Sequence, residues 1–277
     1  MSSDRGKAKV NYLSREGLVG HTDAPDWSFL YTTSTVKDPD RWPGDRVVLP
    51  DGRVFRYAKS SGLCNDETAV EFTLAEVQTY GTVATTTVAR TKDTAFTPDQ
   101  SRSNNIVITG GTHAALTQDQ LRGGYVICYS SVGPAQFRGL IGNDAAAADA
   151  NFTVYLDAAL VTQLTAGAGI EAFYNPWTAL SSANNTVACS KAGMPATPVD
   201  ASGKYFWVQT WGPVWCPPTN ASFADDNDRG AYWRASGAIE GEIANASKGG
   251  SNSTQYAGFL LTKGFTAGPL LMLQVSP

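Results

Sequence analysis

Charge, histidine and long apolar runs are scarce in this chain, and each shortage removes a class of function. Only 17% of its residues are charged, against roughly 25% in an average soluble domain. The 21 Lys and Arg are outnumbered by 25 Asp and Glu, for a net charge of −4, and no basic run supplies a phosphate-binding stripe. A nucleic-acid partner held by counterion release is therefore disfavoured. No apolar stretch approaches the roughly 18–20 residues of a bilayer-spanning helix, so no membrane partner is expected. The opening Met1-Ser2-Ser3-Asp4-Arg5-Gly6-Lys7 leads into a polar segment without the apolar core of a secretory signal. The expectation is a soluble product of a cytoplasm.

Motifs that carry chemistry are equally sparse. The P-loop, H-E-x-x-H, G-x-S-x-G and G-x-G-x-x-G patterns are all missing from the sequence. His21 and His113 are the only histidines, and neither lies in a recognisable nucleophile or metal motif, so both read as structural. Cys64, Cys128, Cys189 and Cys216 lack C-x-x-C spacing and read as reduced thiols in core or interface positions. No cofactor and no catalytic residue is expected. Asp225-Asp226-Asn227-Asp228 before Gly230 is a fragment of an oxygen-rich cation loop, but the twelfth position counted from Asp226 is Gly237 in place of the needed carboxylate. Whether it binds a cation stays open. A carboxylate-pair hydrolase drawing on Asp225, Asp226, Asp228, Glu240 or Glu242 is the enzyme alternative.

What the chain does have is strand chemistry. Val47-Val48-Leu49, the turn Pro50-Asp51-Gly52 and Val54-Phe55-Arg56-Tyr57 predict a hairpin, because Asp-Gly supplies the turn and β-branched and aromatic residues suit a pleated surface. Further strands are expected within Thr68–Thr91, at Ile106–Ile108, Gly124–Tyr129, Ala135–Ile141, Phe152–Leu156, Ile170–Tyr174, Lys204–Trp211, Tyr256–Leu261 and Leu270–Val275. A single helical turn is expected at Thr117–Leu121. Leu156, Leu160 and Leu164 recur at a spacing of four, which also fits a brief helix. In Lys204–Trp211 the alternation places Phe206, Val208 and Thr210 on one face and Tyr205, Trp207, Gln209 and Trp211 on the other. The fold class is all-β: a short-stranded sandwich or barrel body with an extended N-terminal arm and at most brief helices. The arm covers residues 1–43 and the body 44–277, with a possible division into subdomains near 178–203.

The arm is polar with isolated large groups, a pattern of segments that order only on docking, on the body or on another chain. Trp27, Phe29 and Tyr31 are its expected anchors. Trp207, Trp211 and Trp215 are expected to hold the body or its subunit interface, with a sugar-binding face as the alternative use of such rings.

Several stretches in order, Gly44–Lys59 with its D-G-R-V-F-R-Y hairpin, Leu140–Asn143, Tyr174–Trp177, Gly203–Gly212 with its W-x-Q-T-x-G strand, and Gln255–Phe259, resemble the head structural proteins of tailed bacteriophages found in marine phages. The resemblance runs from about Gly44 to Pro277. It implies a virion component, a capsid decoration (cement) protein that binds the major capsid protein on the outer shell, often as a homotrimer, and stabilises the capsid without catalysis. The alternatives are a receptor- or carbohydrate-binding fibre or surface protein, and a connector or tail component.

Overall fold

The computed structural model describes residues 26–72, 79–83, 104–109, 113–129, 135–161, 164, 168–183, 190–215, 229–233, 239–241, 255–262 and 269–277. The chain is mainly β, and among these residues the only helical segments are short 3-10 turns at Ser28–Tyr31 and Pro176–Thr178. Strands β1 (Arg46–Val48), β2 (Val54–Lys59) and β3 (Val70–Phe72) come first. Six more follow: β4 (Thr79–Val83), β5 (Asn105–Thr109), β6 (Tyr125–Tyr129), β7 (Gln136–Asn143), β8 (Phe152–Leu156) and β9 (Gly169–Phe173). The remainder are β10 (Leu180–Ser182), β11 (Lys191–Pro195), β12 (Tyr205–Trp215), β13 (Gly230–Trp233), β14 (Ile239–Gly241), β15 (Gln255–Thr262) and β16 (Leu270–Gln274).

Two compact units divide these strands. One is Ala75–Pro176; the other joins Met1–Leu74 to Trp177–Pro277. The first is a closed antiparallel barrel in the order β4-β5-β8-β7-β6-β9. Alternation builds it: Ile106 and Ile108, Val126 and Cys128, Val154 and Leu156, and Ile170 and Ala172 point inward into one core. Leu160 and Leu164 join the same core. The four-residue spacing of the leucines is thus no helix: β8 ends at Leu156 and the following chain feeds two more leucines into the barrel interior.

The second unit is a ten-stranded antiparallel sheet, β10-β3-β11-β12-β16-β15-β13-β14, with β2 on β12 and β1 on β2. The predicted hairpin forms as expected, with Val47 opposite Phe55 and Gly52 at φ +86° in the turn. The long β12 organises the sheet. Its first half pairs with β2 and β11 and its second half with β16, with an irregularity between Gln209 and Trp211. It runs on through Gly212-Pro213, where the sequence predicted its end, with Gly212 at φ +94° and an unbroken register against β16 from Trp211 to Trp215.

The domain organisation also differs from the sequence reading in two places. The stretch 178–203 is not a division: β10 and β11 hydrogen-bond into the sheet through β3, and the unit boundaries fall at 74/75 and 176/177. Nor is all of 1–43 an extended arm. Residues from 26 onward are built into the body, with Leu30 fully buried among Val47, Leu49, Phe55 and Trp207.

Candidate functional site

Three of the six candidate residues meet in one aromatic cluster. The Trp27 ring lies 6.1 Å from Phe29, Phe29 meets Trp207 edge-on at 5.5 Å, and Tyr57 lies 5.2 Å from Trp207 and stacks on Tyr205 at 5.6 Å. The Arg41 guanidinium lies over both Phe29 (4.7 Å) and Trp207 (4.8 Å), while its Nε contacts Asp38 Oδ2 at 3.2 Å. The Lys37 ammonium sits 4.3 Å over Trp42 and donates to the carbonyls of Asp38 and Arg41. Backbone bonds in both directions between Ser34 and Tyr205 close the segment onto β12. The Tyr57 hydroxyl accepts the Asp38 N–H, and burial pushes the Tyr57 phenol above its ordinary pKa. Desolvated cation–π contacts of this kind are worth about 1–2 kcal/mol each, enough to hold a segment with little core of its own. Tyr31 stays half exposed, accepting a hydrogen bond from Arg53.

The other two tryptophans lie elsewhere, on the open face of β12, β16, β15 and β13. The inner positions of these strands, Ala231, Trp233, Ala257, Leu271 and Leu273, fill a core. On the opposite side β12 presents Trp211, Pro213 and Trp215, and β16 presents Leu270, Met272 and Gln274, directly paired with them. Beside these β15 adds Tyr256, Phe259, Leu261 and Thr262, the last opposite Leu270, and β13 adds Tyr232, whose ring meets Tyr256 edge-on at 5.5 Å. None of these outward positions carries a charge. Trp215 is 52% exposed, Leu261 45% and Tyr256 44%. The register is fixed by a bulge at Gly258, whose φ of +149° and close approach to the Met272 carbonyl leave no room for a Cβ.

A second exposed aromatic set lies on the barrel exterior. Tyr125 and Phe137 stack at 5.2 Å there, with Tyr129 and Ile141 nearby in sequence on the same strands. It includes a charge: the Tyr129 hydroxyl donates to Glu171 at 3.2 Å, whereas Arg138 alternates to the other side of β7, opposite buried Val126, and donates to the carbonyls of Phe137 and Ala159.

The remaining candidates carry little chemistry. His113 is buried, with ring nitrogens 2.7 Å and 2.8 Å from the carbonyls of Ala114 and Ala150, and packs on Phe152. Cys64 and Cys128 are free and buried, and burial pushes their thiols up to about 12 and about 11. Among the described residues no three His, Cys, Asp or Glu side chains converge as metal ligands. His21, Cys189, Cys216, Asp225–Asp228 and Glu242 lie outside the described residues; the backbone of Glu240 pairs with Tyr232. No described helix is long and apolar enough to cross a membrane.

The sequence reading did not single out the outward residues of β15 and β16. Their signal was present: Leu270-Leu271-Met272-Leu273 is apolar at both parities, the pattern of a strand covered on both faces. Comparison with family models, curated proteins and solved structures finds no match for this chain.

Proposed function

We propose that this protein is a non-enzymatic structural component of a phage virion, a decoration protein that binds the major capsid protein on the outside of the head and stabilises the shell. The observation that carries the reading is the adjacency of the two stretches with the most distinctive resemblance. The D-G-R-V-F-R-Y hairpin and the W-x-Q-T-x-G strand pair as β2 and β12, with Tyr57 opposite Trp207, and together they grip the segment that begins at Trp27. A clamp of this kind suits a binder that bridges subunits, because an arm resists force only where its root is held. Binding to the assembled shell alone then stabilises that shell by mass action.

The test is co-sedimentation with heads lacking the protein, followed by particle imaging. The expected result is regular density over capsid-subunit junctions and greater resistance to heat. Removing residues 1–25 is expected to weaken attachment while preserving the fold; full occupancy after that deletion would remove the arm from the proposal. Deleting to Trp42 is not an equivalent test, since it takes Leu30 and Arg41 from the core. The paired rings of Tyr125 and Phe137 favour a second reading, a carbohydrate-binding surface protein. Saturable glycan binding without head binding would select it. Density at the portal or tail would instead select a connector or tail role.

A further inference from the structure

We infer that the uncharged outer face of β12, β16, β15 and β13 is a self-association surface, which seats the same face of a second copy of this chain. The inference deepens the assembly reading and rests on it for the expectation that copies associate. Four adjacent strands place apolar and aromatic side chains outward together with the Gln274 amide and the Thr262 hydroxyl, and the nearest charge by register is Glu240 on the flanking β14, opposite Tyr232 at the rim, in a chain whose net charge is −4. Two like-charged copies approach at lowest electrostatic cost through a surface where neither bears charge. Charge depletion with enrichment of Trp, Tyr, Phe and Met is the composition of the buried centre of homodimer interfaces.

The size also fits. The five most exposed residues, Trp215, Leu261, Tyr256, Phe259 and Leu270, offer roughly 400 Å² per copy at aromatic and aliphatic side-chain sizes. Their half-buried neighbours bring this to about 600 Å², so a pair buries about 1,200 Å², at the lower bound for a specific and dissociable contact. The inner face is already filled by Trp233, Leu271 and Leu273. A partner on the outer face therefore completes a two-layer sandwich, with sheets about 10 Å apart. A face that meets itself generates a two-fold pair, in distinction to the trimer implied by the sequence resemblance. The barrel exterior is the poorer candidate, because the carboxylate of Glu171 lies within it, bonded to Tyr129.

The experiment is sedimentation velocity on the full chain alone, across about two decades of concentration, so that it succeeds or fails independently of shell binding. The wild type is expected to dimerise. Phe259→Glu and Phe259→Lys are each expected to weaken the dimer at least about a hundredfold through like charges placed face to face. Near-ultraviolet dichroism should stay unchanged, because the ring is on the surface. An equimolar mixture of the two variants is expected to restore dimers, while Tyr129→Lys on the barrel leaves dimerisation unaltered. A wild type that stays monomeric throughout overturns the proposal. So does an oligomer insensitive to both Phe259 variants, or a mixture that fails to re-form.

Discussion

The barrel and the sheet solve the same problem by different means. In Ala75–Pro176 the strands close on themselves, so every strand has two neighbours around one core, and the buried polar side chains His113, Gln136 and Asn143 bond to loop backbone. In the other unit the sheet stays open and its interior is split into three clusters. It adds polar and cationic devices to hold them: the buried Lys191–Glu71 pair at 2.5 Å, the Gln255 side chain bonded in both directions to the Lys191 backbone, and the Arg41 stack. Closure pairs every strand edge and leaves the buried polar groups to anchor loops, whereas the open sheet also uses them to hold one strand to another.

The contrast is sharpest at the buried ion pair. Lys191→Met leaves Glu71 charged and desolvated and is expected to cost about 3–5 kcal/mol in urea unfolding, with most of it recovered by adding Glu71→Leu. Unchanged stability in the single variant would mean the pair is not a device of the open sheet. In the barrel, Leu156→Ala is expected to cost about 3 kcal/mol through the cavity it leaves. Amide exchange at Val126 and Ile170 should accelerate, with less effect at Phe206. Equal acceleration at all three would show that the units open together. Arg41→Ala removes a guanidinium shared by two rings and should cost about 1–2 kcal/mol, with faster exchange at the Tyr205 amide, which bonds Ser34. The smallest effect is on thiols. With both pKa values raised by burial, the protonated thiol is the folded form at Cys64 and Cys128. Their contribution is present in full below the ordinary thiol pKa near 9 and is lost as pH rises towards 11–12. Iodoacetamide mapping at neutral pH should leave both unmodified until unfolding; labelling of Cys128 alone would mark the barrel as the looser unit.

Much of the barrel was legible in the sequence because its signals are local. Gly124–Tyr129 and Phe152–Leu156 alternate between core and surface as predicted; in the sheet the one equally local signal, the Asp51-Gly52 turn, sets the β1–β2 hairpin. The sheet was read less completely. β10 is Leu-Ser-Ser and β11 Lys-Ala-Gly-Met-Pro; neither has β-branched or aromatic character, and both are strands because β3 supplies partners distant in sequence. The candidate aromatics were visible as residue types, but their surroundings were not. Trp207 is buried against the Trp27–Arg41 segment, while Trp215, on the same strand, faces out. Only the change of pairing partners along β12 separates them.

The β3–β10 pairing carries a consequence for descent. Phe72, just before the barrel, sits opposite Leu180, just after it, in the antiparallel register, and among the described residues β4 to β9 pair only among themselves. The barrel thus enters and leaves at neighbouring points of an existing strand pair, as a cassette spliced into a hairpin would. Exchanging it for a tight turn breaks no strand pairing of the host sheet, so related chains can gain, lose or swap this module while keeping the clamp and the uncharged face intact.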